Sequence, residues 1–116
     1  MSGFPGVPTV DHFEGRVVYD EMKTTGTFET SNAIINRIYQ NAGWGIKGNY
    51  RGMPTDCPQR DERMGWLGDR TTGAYGESYI YDNQKLYAKW LKDIEDSQLA
   101  NGALPDVAPN YWEMYT

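Results

Sequence analysis

Residues 54–69 read PTDCPQRDERMGWLGD, and the segment from Asp56 to Asp69 alone contains four carboxylates, two arginines and a tryptophan. Charges that serve only solubility are usually spread over a solvated face. Carboxylates clustered beside an aromatic ring and bracketed by proline and glycine are instead typical of a site that binds a polar substrate and transfers protons. We call Asp56–Asp69 the charged loop, and it is the candidate functional site.

The composition is unusual for a self-sufficient domain. Of the 116 residues, 39% are hydrophobic, and this share includes nine Tyr and four Trp, while thirteen Gly and six Pro interrupt the chain. A chain of this length buries only about two-thirds of its unfolded surface, and few aliphatic runs remain to form a core. Aromatic rings with apolar faces and polar edges suit either a core or a sugar-binding cleft.

Several classes of function are disfavoured. The net charge of −5 argues against nucleic acid as a partner, and no apolar run is long enough to span a membrane. The amino terminus does not resemble a secretion signal, and the compartment stays undetermined. The single Cys57 excludes an internal disulfide, and with His12 as the sole imidazole we predict neither a metal site nor a cofactor. Cys57 is predicted to be a small packed residue.

The first part of the chain, residues 1–29, is predicted to be a short β segment. It is rich in glycine, proline and threonine, and it has β-leaning runs at residues 15–19 and 26–29. An isolated pair of strands this short is only marginally stable. We therefore expect the segment to complete a sheet that lies elsewhere in a larger protein.

The rest of the chain is predicted to be mainly helical. Apolar residues recur with the helical period after Ser31, and either this residue or Thr30 is the expected N-cap. Further helices are predicted over residues 69–80, with Asp69 as a possible N-cap, and over residues 82–99. Three helices with such long loops cannot bury all their apolar stripes against one another. The chain is therefore predicted to be a piece of a larger helical domain.

The charged loop resembles the signature of bacterial α-L-rhamnosidases of glycoside hydrolase family 78. The matching residues are Pro54–Arg63, Gly65-Trp66 and Gly68-Asp69, with further matches in the same order at residues 5–9, 26–29, 31–32, 89–91, 96–98 and 104–109. The resemblance implies a partial (α/α)6 barrel of the six-hairpin glycosidase type, in which residues 30–116 form the first helices. Residues 1–29 would come from a preceding β-sandwich domain, and the charged loop would lie at the mouth of the barrel.

The resemblance also implies an activity. Members of this family hydrolyse terminal non-reducing α-L-rhamnose from glycosides and polysaccharides with inversion at the anomeric carbon. Glu62 would be the general acid, and Asp56, Trp66 and Asp69 would contact the rhamnose. The general base would be a Glu on a later barrel helix, outside these residues. The isolated chain is therefore expected to be inactive and to depend on the rest of the parent barrel and its β domains.

The residues themselves are compatible with this role for Glu62. An inverting glycosidase needs one protonated carboxyl group and one carboxylate, roughly 6.5–9.5 Å apart. Burial beside Trp66 and neighbouring carboxylates are expected to raise the pKa of Glu62. These carboxylates are Asp56, Asp61 and Asp69. Arg60 and Arg63 are possible supporting residues that oppose the shift, so we expect at least one of them to form a structural ion pair.

Other interpretations remain open at this point. Glu62 could be a surface ion-pair partner, Asp69 only an N-cap and Trp66 only a core residue, whereas Asp61 is best explained as a structural partner of an arginine. The domain could also be an inverting glycosidase for another sugar, or a noncatalytic helical module that binds carbohydrate or a partner subunit.

Two further features bear on the site. After Asp69 the run Arg70-Thr71-Thr72-Gly73 departs from the family pattern of Ala-Gln and an apolar run, which bears on the sugar subsite. The remaining acidic residues considered, Glu77, Asp82 and Asp106, are predicted to be solvated or capping. Asp106 and Trp112 could also reach the cleft from their loop.

Overall fold

The computed structural model describes residues 3–116 and is mainly helical, as predicted. Within these residues a short 3-10 helix, Val10–His12, precedes the helices α1 (Ala33–Asn49), α2 (Leu67–Glu77) and α3 (Gln84–Asp96). In this part of the chain no helix combines the length and apolar character needed to traverse a bilayer.

The predicted β segment is not confirmed. In the described residues, the runs 15–19 and 26–29 contain no strand. The backbone next to the second run instead pairs with the α2–α3 connection through an isolated bridge between Thr24 and Tyr81. Residues with β propensity form a strand only where a partner strand lies beside them, and the short connection between α2 and α3, residues 78–83, offers only this single bridge.

Helix α1 begins one residue later than predicted. Its N-cap is Asn32, whose side-chain oxygen accepts the backbone N–H of Ile34 at 2.9 Å and of Ile35 at 3.3 Å. The prediction of Ser31 or Thr30 as N-cap is wrong, because the Thr30 hydroxyl is engaged elsewhere. It accepts the N–H of Asn32 at 3.1 Å and so orients the carboxamide that caps the helix.

Helix α2 begins two residues before Asp69. Trp66 occupies the N-cap position without a side-chain cap, and Asp69 lies in the first turn, so the prediction of Asp69 as N-cap is wrong. The reason is tertiary: the backbone of Leu67 donates to the carbonyl of Asp106 at 3.0 Å, and this pairing ends the extended segment. A carboxylate in the first turn still interacts favourably with the helix dipole.

Helix α3 is shorter at both ends than the predicted range of 82–99. Asp82 lies before it and its carboxylate accepts the N–H of Gln84 at 3.3 Å, which is the predicted capping role. Ser97 is the C-cap, and the left-handed Gly102, with a φ of 89°, belongs to the turn that follows.

A small core joins the end of α1 to the start of α3. It contains Ile46, Tyr50, Tyr81 and Leu86. Other apolar side chains on the helices lie in solvent: Ile34 and Ile38 of α1 are 72% and 61% exposed, and Leu91 of α3 is 63% exposed. Contiguous exposed apolar surface of this kind is typical of a docking face. The helices therefore do not bury their stripes against one another.

Candidate active site

Two hydrogen bonds attach the start of the charged loop to the end of α1. The backbone N–H of Thr55 donates to the carbonyl of Asn49 at 2.9 Å, and the Thr55 hydroxyl donates to the same oxygen at 3.1 Å. Pro54, Thr55 and Cys57 are buried. This first anchor attaches Asp56 to a buried stretch of backbone. It also confirms the prediction that Cys57 is a small packed residue, since its thiol is free and buried.

A second anchor closes the loop on itself. Asp56 and Met64 exchange two hydrogen bonds: the N–H of Asp56 donates to the Met64 carbonyl at 2.9 Å, and the N–H of Met64 donates to Asp56 Oδ1 at 2.8 Å. Arg63, just before Met64, has a φ of 46°, in the left-handed region that turns the chain sharply. The turn returns Glu62 to the carboxylate of Asp56.

A third anchor holds the far end of the loop against the C-terminal segment. The N–H of Ala108 donates to the carbonyl of Gly65 at 2.9 Å, and Trp66 bridges to Val107. The indole N–H of Trp90, on α3, donates to the carbonyl of Ala108 at 2.7 Å. The approach is so close that a Cβ on Gly65 would lie 2.8 Å from Trp90 Nε1.

These anchors bring Asp56, Cys57 and Glu62 together. One carboxylate oxygen of each acid and the thiol sulfur lie within 4.8 Å of one another. The hydrogen bond to Asp56 is the main cause that raises the pKa of Glu62, and partial burial and the negative charge of Asp56 act in the same direction.

The pKa of Asp56 moves the other way. Burial raises it, but hydrogen bonds from the Cys57 thiol, the Met64 backbone N–H and the Glu62 carboxyl outweigh this effect, and the pKa lies below its usual value. The opposite directions of the two pKa shifts favour a proton on Glu62 over one on Asp56.

Two groups oppose the proton on Glu62. The positive charge of Arg60 and the indole N–H of Trp66 both lower the pKa of Glu62. Trp66 Nε1 is buried and lies near enough to Glu62 to lower its pKa, but within residues 3–116 it makes no hydrogen bond of normal geometry. Such a donor next to an acidic group is available to an oxygen of a ligand.

Arg63 is the arginine that forms the predicted ion pair. Its guanidinium lies 3.6 Å from the carboxylate of Asp61, whose side chain is fully exposed. This arrangement agrees with the structural role predicted for Asp61. Among the three carboxylates expected to raise the pKa of Glu62, Asp56 is the one that contributes appreciably.

The structure thus brings Asp56, Glu62 and Trp66 together, and Asp69 lies outside this group. Asp69 is exposed in the first turn of α2, close in sequence to Trp66. In the described part of the chain its carboxylate has neither a hydrogen bond nor an ion pair. Asp106, which was expected to be solvated or capping or to reach the cleft, accepts the Thr116 hydroxyl at 2.8 Å.

The prediction that Glu77 is solvated or capping is wrong. Its carboxylate forms an ion pair of 3.0 Å with Arg70, and both side chains are 13% exposed. It also accepts the hydroxyls of Tyr50 and Tyr87. The one sequence signal was the spacing of Arg70 and Glu77, since residues seven apart lie on one helix face. The tyrosines come from other elements and gave no signal.

The donor atoms of Asp56, Cys57 and Glu62 are close enough to hold a cation in principle. The protons of the thiol and of Glu62, however, are used in hydrogen bonds to Asp56. Thiolate and carboxylate are also ligands of different softness. The close contact of the two carboxyl groups therefore suits proton sharing between them.

Comparison with known proteins gives the family to which this helical domain and its charged loop belong. Residues 23–116 match the family described as the bacterial alpha-L-rhamnosidase 6 hairpin glycosidase domain. The chain belongs to this family, which confirms the resemblance seen in the charged loop.

Individual relatives agree. An alpha-L-rhamnosidase of Streptomyces avermitilis is 40% identical over 109 residues, which are 94% of this chain and 11% of that protein. The solved structure of the alpha-L-rhamnosidase from Dictyoglumus thermophilum is 48% identical with a TM-score of 0.88, and the match covers 97% of this chain and 13% of that one. The Streptomyces avermitilis enzyme complexed with L-rhamnose is 38% identical in the structural match, also with a TM-score of 0.88, over 97% and 11%. This chain thus spans only about an eighth of these relatives.

Proposed function

We propose that this chain supplies the acid half of an active site that hydrolyses terminal α-L-rhamnosides, with Glu62 as the proton donor. The observation that carries the proposal is the pairing of Asp56 with Glu62: one oxygen of each lies within 4.8 Å of the other, and this contact raises the pKa of Glu62. Family membership and the rhamnose complex of a relative support rhamnose as the sugar.

In the proposed reaction Glu62 transfers its proton to the glycosidic oxygen as the bond from that oxygen to the anomeric carbon breaks. A water molecule attacks the opposite face of the sugar and loses a proton to a second carboxylate. The products are free rhamnose of inverted configuration and the alcohol of the leaving group. The geometry of Glu62, held between two anchors of the charged loop, provides the required orientation.

The second carboxylate of this reaction is not Asp56. Its oxygen lies within 4.8 Å of the Glu62 oxygen, whereas an inverting pair is separated by roughly 6.5–9.5 Å to admit water. Asp56 also has a lowered pKa because it accepts hydrogen bonds from its neighbours. We propose that the base is a glutamate outside these 116 residues, which is compatible with the small share of each relative that the chain spans.

Asp56, Trp66 and Asp69 are the proposed contacts to the sugar. The unsatisfied indole N–H of Trp66 can donate to a ring or hydroxyl oxygen, and its ring offers an apolar face to the sugar C–H groups. The exposed carboxylate of Asp69 can accept from sugar hydroxyls. One oxygen of Asp56 binds the Met64 N–H, so its contact to the sugar would use the other oxygen.

The proposed function also accounts for the apolar side chains that are exposed on α1 and α3. In a six-hairpin barrel, α1 and α3 would pack against helices from the rest of the polypeptide, which would cover Ile34, Ile38 and Leu91. Residues 30–116 would then be the first part of the catalytic domain and residues 1–29 a connection from a preceding domain.

The test is the Glu62→Gln variant of the full-length protein, assayed with two α-L-rhamnosides. One has an activated phenol as leaving group and the other an alkyl alcohol. We expect turnover of the alkyl rhamnoside to fall by about 10²–10⁴-fold, and turnover of the activated substrate to fall less, because a good leaving group needs little protonation. Asp61→Asn, at an exposed position, is the matched control and should stay near the wild-type rate. Near-wild-type turnover of both substrates by Glu62→Gln would exclude Glu62 as the acid.

A panel of aryl glycosides tests the sugar. We expect a higher kcat/KM for the α-L-rhamnoside than for glycosides of other deoxy and plain sugars. A higher kcat/KM for another sugar would refute rhamnose as the substrate, but it would not affect the proposal that Glu62 is the acid.

A further inference from the structure

The carboxylate of Glu77, the last residue of α2, joins three elements of the fold. Its Oε1 accepts Arg70 Nη1 at 3.0 Å, and its Oε2 accepts the hydroxyls of Tyr50 and, at 3.4 Å, of Tyr87. The two tyrosine hydroxyls are 3.2 Å apart. The residues come from the start and end of α2, the C-cap of α1 and the first turn of α3. We call these four side chains the Glu77 network.

The Glu77 network is too buried to be an incidental surface pair. Tyr50 is fully buried, and Arg70 and Glu77 are each 13% exposed. Burial raises the pKa of Tyr50 far above its ordinary range, and the hydrogen bond to Glu77 adds to this, so the phenol remains a donor. A buried ion pair rarely stabilises a fold more than apolar side chains of similar volume would. The buried ion pair of Arg70 and Glu77 is better explained by the way it fixes the positions of its partners.

Each partner of Glu77 leads to one anchor of the charged loop. Tyr50 directly follows Asn49, whose carbonyl accepts the two hydrogen bonds of Thr55. Arg70 lies one turn beyond Trp66 and donates its backbone N–H to the Trp66 carbonyl at 3.4 Å.

The third partner acts through α3. Tyr87 packs edge-on against Trp90 with ring centroids 5.9 Å apart, and the Trp90 indole holds the carbonyl of Ala108. Ala108 in turn pairs with Gly65 at the far end of the charged loop.

We propose that Glu77 is a positioning residue for the proton donor Glu62: by holding Arg70, Tyr50 and Tyr87 in one cluster, its carboxylate sets the two ends of the charged loop and Trp66 in fixed relation to each other. The inference rests on the proposed function of Glu62. It assigns Glu77 no contact with the substrate.

The experiment compares Glu77→Gln with wild type in the full-length protein, using the same pair of alkyl and activated aryl rhamnosides. Loss of folded protein lowers kcat for both substrates by the same factor. Misplacement of the acid lowers kcat more for the alkyl substrate, since its leaving group depends on proton transfer. We expect a fall of about 10–100-fold in kcat for the alkyl rhamnoside, a clearly smaller fall for the activated one, and KM within about twofold.

Glu95→Gln is the matched control, because Glu95 is exposed on α3 and, among residues 3–116, its side chain pairs only with Lys92. It should leave both rates unchanged. An equal loss for the two substrates in Glu77→Gln would overturn the inference and reduce the network to a structural ion pair.

A milder variant covers the case in which Glu77→Gln does not fold. Tyr87→Phe removes one hydroxyl at 3.4 Å from Glu77 and keeps the packing on Trp90. It should lower kcat for the alkyl substrate by about 2–10-fold, again with a smaller effect on the activated one. Equal rates for variant and wild type, or equal losses on both substrates, would overturn the inference. If Glu62→Gln itself shows no dependence on the leaving group, the proposed function fails instead, so the two failures are distinguishable.

Discussion

Gly65→Ala is the substitution that most directly tests the third anchor of the charged loop. A Cβ at Gly65 would overlap the carbonyl of Ala108 and lie 2.8 Å from Trp90 Nε1. Both atoms belong to the anchor itself, because Ala108 donates to Gly65 and Trp90 donates to Ala108. The methyl group can be accommodated only if the two segments separate.

The magnitude follows from what is lost. Two buried hydrogen bonds contribute about 1 kcal/mol each, and overpacking of a dense contact costs about 1–3 kcal/mol more. We therefore expect the free energy of opening at this anchor to fall by about 3–5 kcal/mol, which corresponds to a roughly 150- to 5,000-fold loss of protection.

The measurement is hydrogen exchange of the Ala108 amide in the full-length protein, which reports local opening directly. Gly68→Ala is the matched control: Gly68 lies in α2, a Cβ there has no atom within 4 Å, and alanine favours the helix by about 1 kcal/mol. Unchanged protection of Ala108 in Gly65→Ala, equal to that in Gly68→Ala, would refute the close pairing of residues 65–67 with 106–108.

Further predictions concern the acid pair and the start of α1. In Asp56→Asn, Glu62 loses the group that raises its pKa, so the basic limb of the activity profile, where the protonated acid is lost, should move to lower pH; an unmoved limb or a shift to higher pH in kcat against pH would contradict this. Asn32→Ala should destabilise the protein by about 1 kcal/mol through loss of the N-cap, whereas Ser31→Ala should change it by less than about 0.5 kcal/mol. Thermal unfolding of both variants decides between them, and equal effects would remove Asn32 as the cap.

The helices were predictable where the signal is local. The apolar period after Ser31 and along α3 arises from side chains that share a helix face, so it can be read without knowledge of the fold. The first residues of the helices were harder to predict. The hydroxyl of Thr30 is bound six residues ahead, by Asn36, and the start of α2 depends on Asp106, about forty residues away. Residues 15–19 have a propensity for strand, but they form none because, within residues 3–116, no strand lies beside them.

The candidate site divides in the same way. The charged loop is contiguous, so its motif sufficed to propose Glu62, Asp56 and Trp66 as one group, and the two hydrogen bonds between Asp56 and Met64 explain how a nine-residue stretch brings them together. Glu77 escaped prediction because two of its partners belong to α1 and α3. A side chain whose role depends on elements distant in sequence has no local pattern.

The geometry adds to the motif a physical reason to place the acidic proton on Glu62. A glutamate with a neighbouring carboxylate could serve as either acid or base, and the motif alone assigns the role only by resemblance. Here hydrogen bonds from Cys57, Met64 and Glu62 lower the pKa of Asp56, and the contact with Asp56 raises the pKa of Glu62, which favours Glu62 as the protonated member. Because the same contact holds the two carboxyl groups within 4.8 Å, the pair has no room for the attacking water. In the proposed mechanism, the contact that favours Glu62 as the acid therefore argues against Asp56 as its base, and the second carboxylate would face Glu62 from the other side of the sugar.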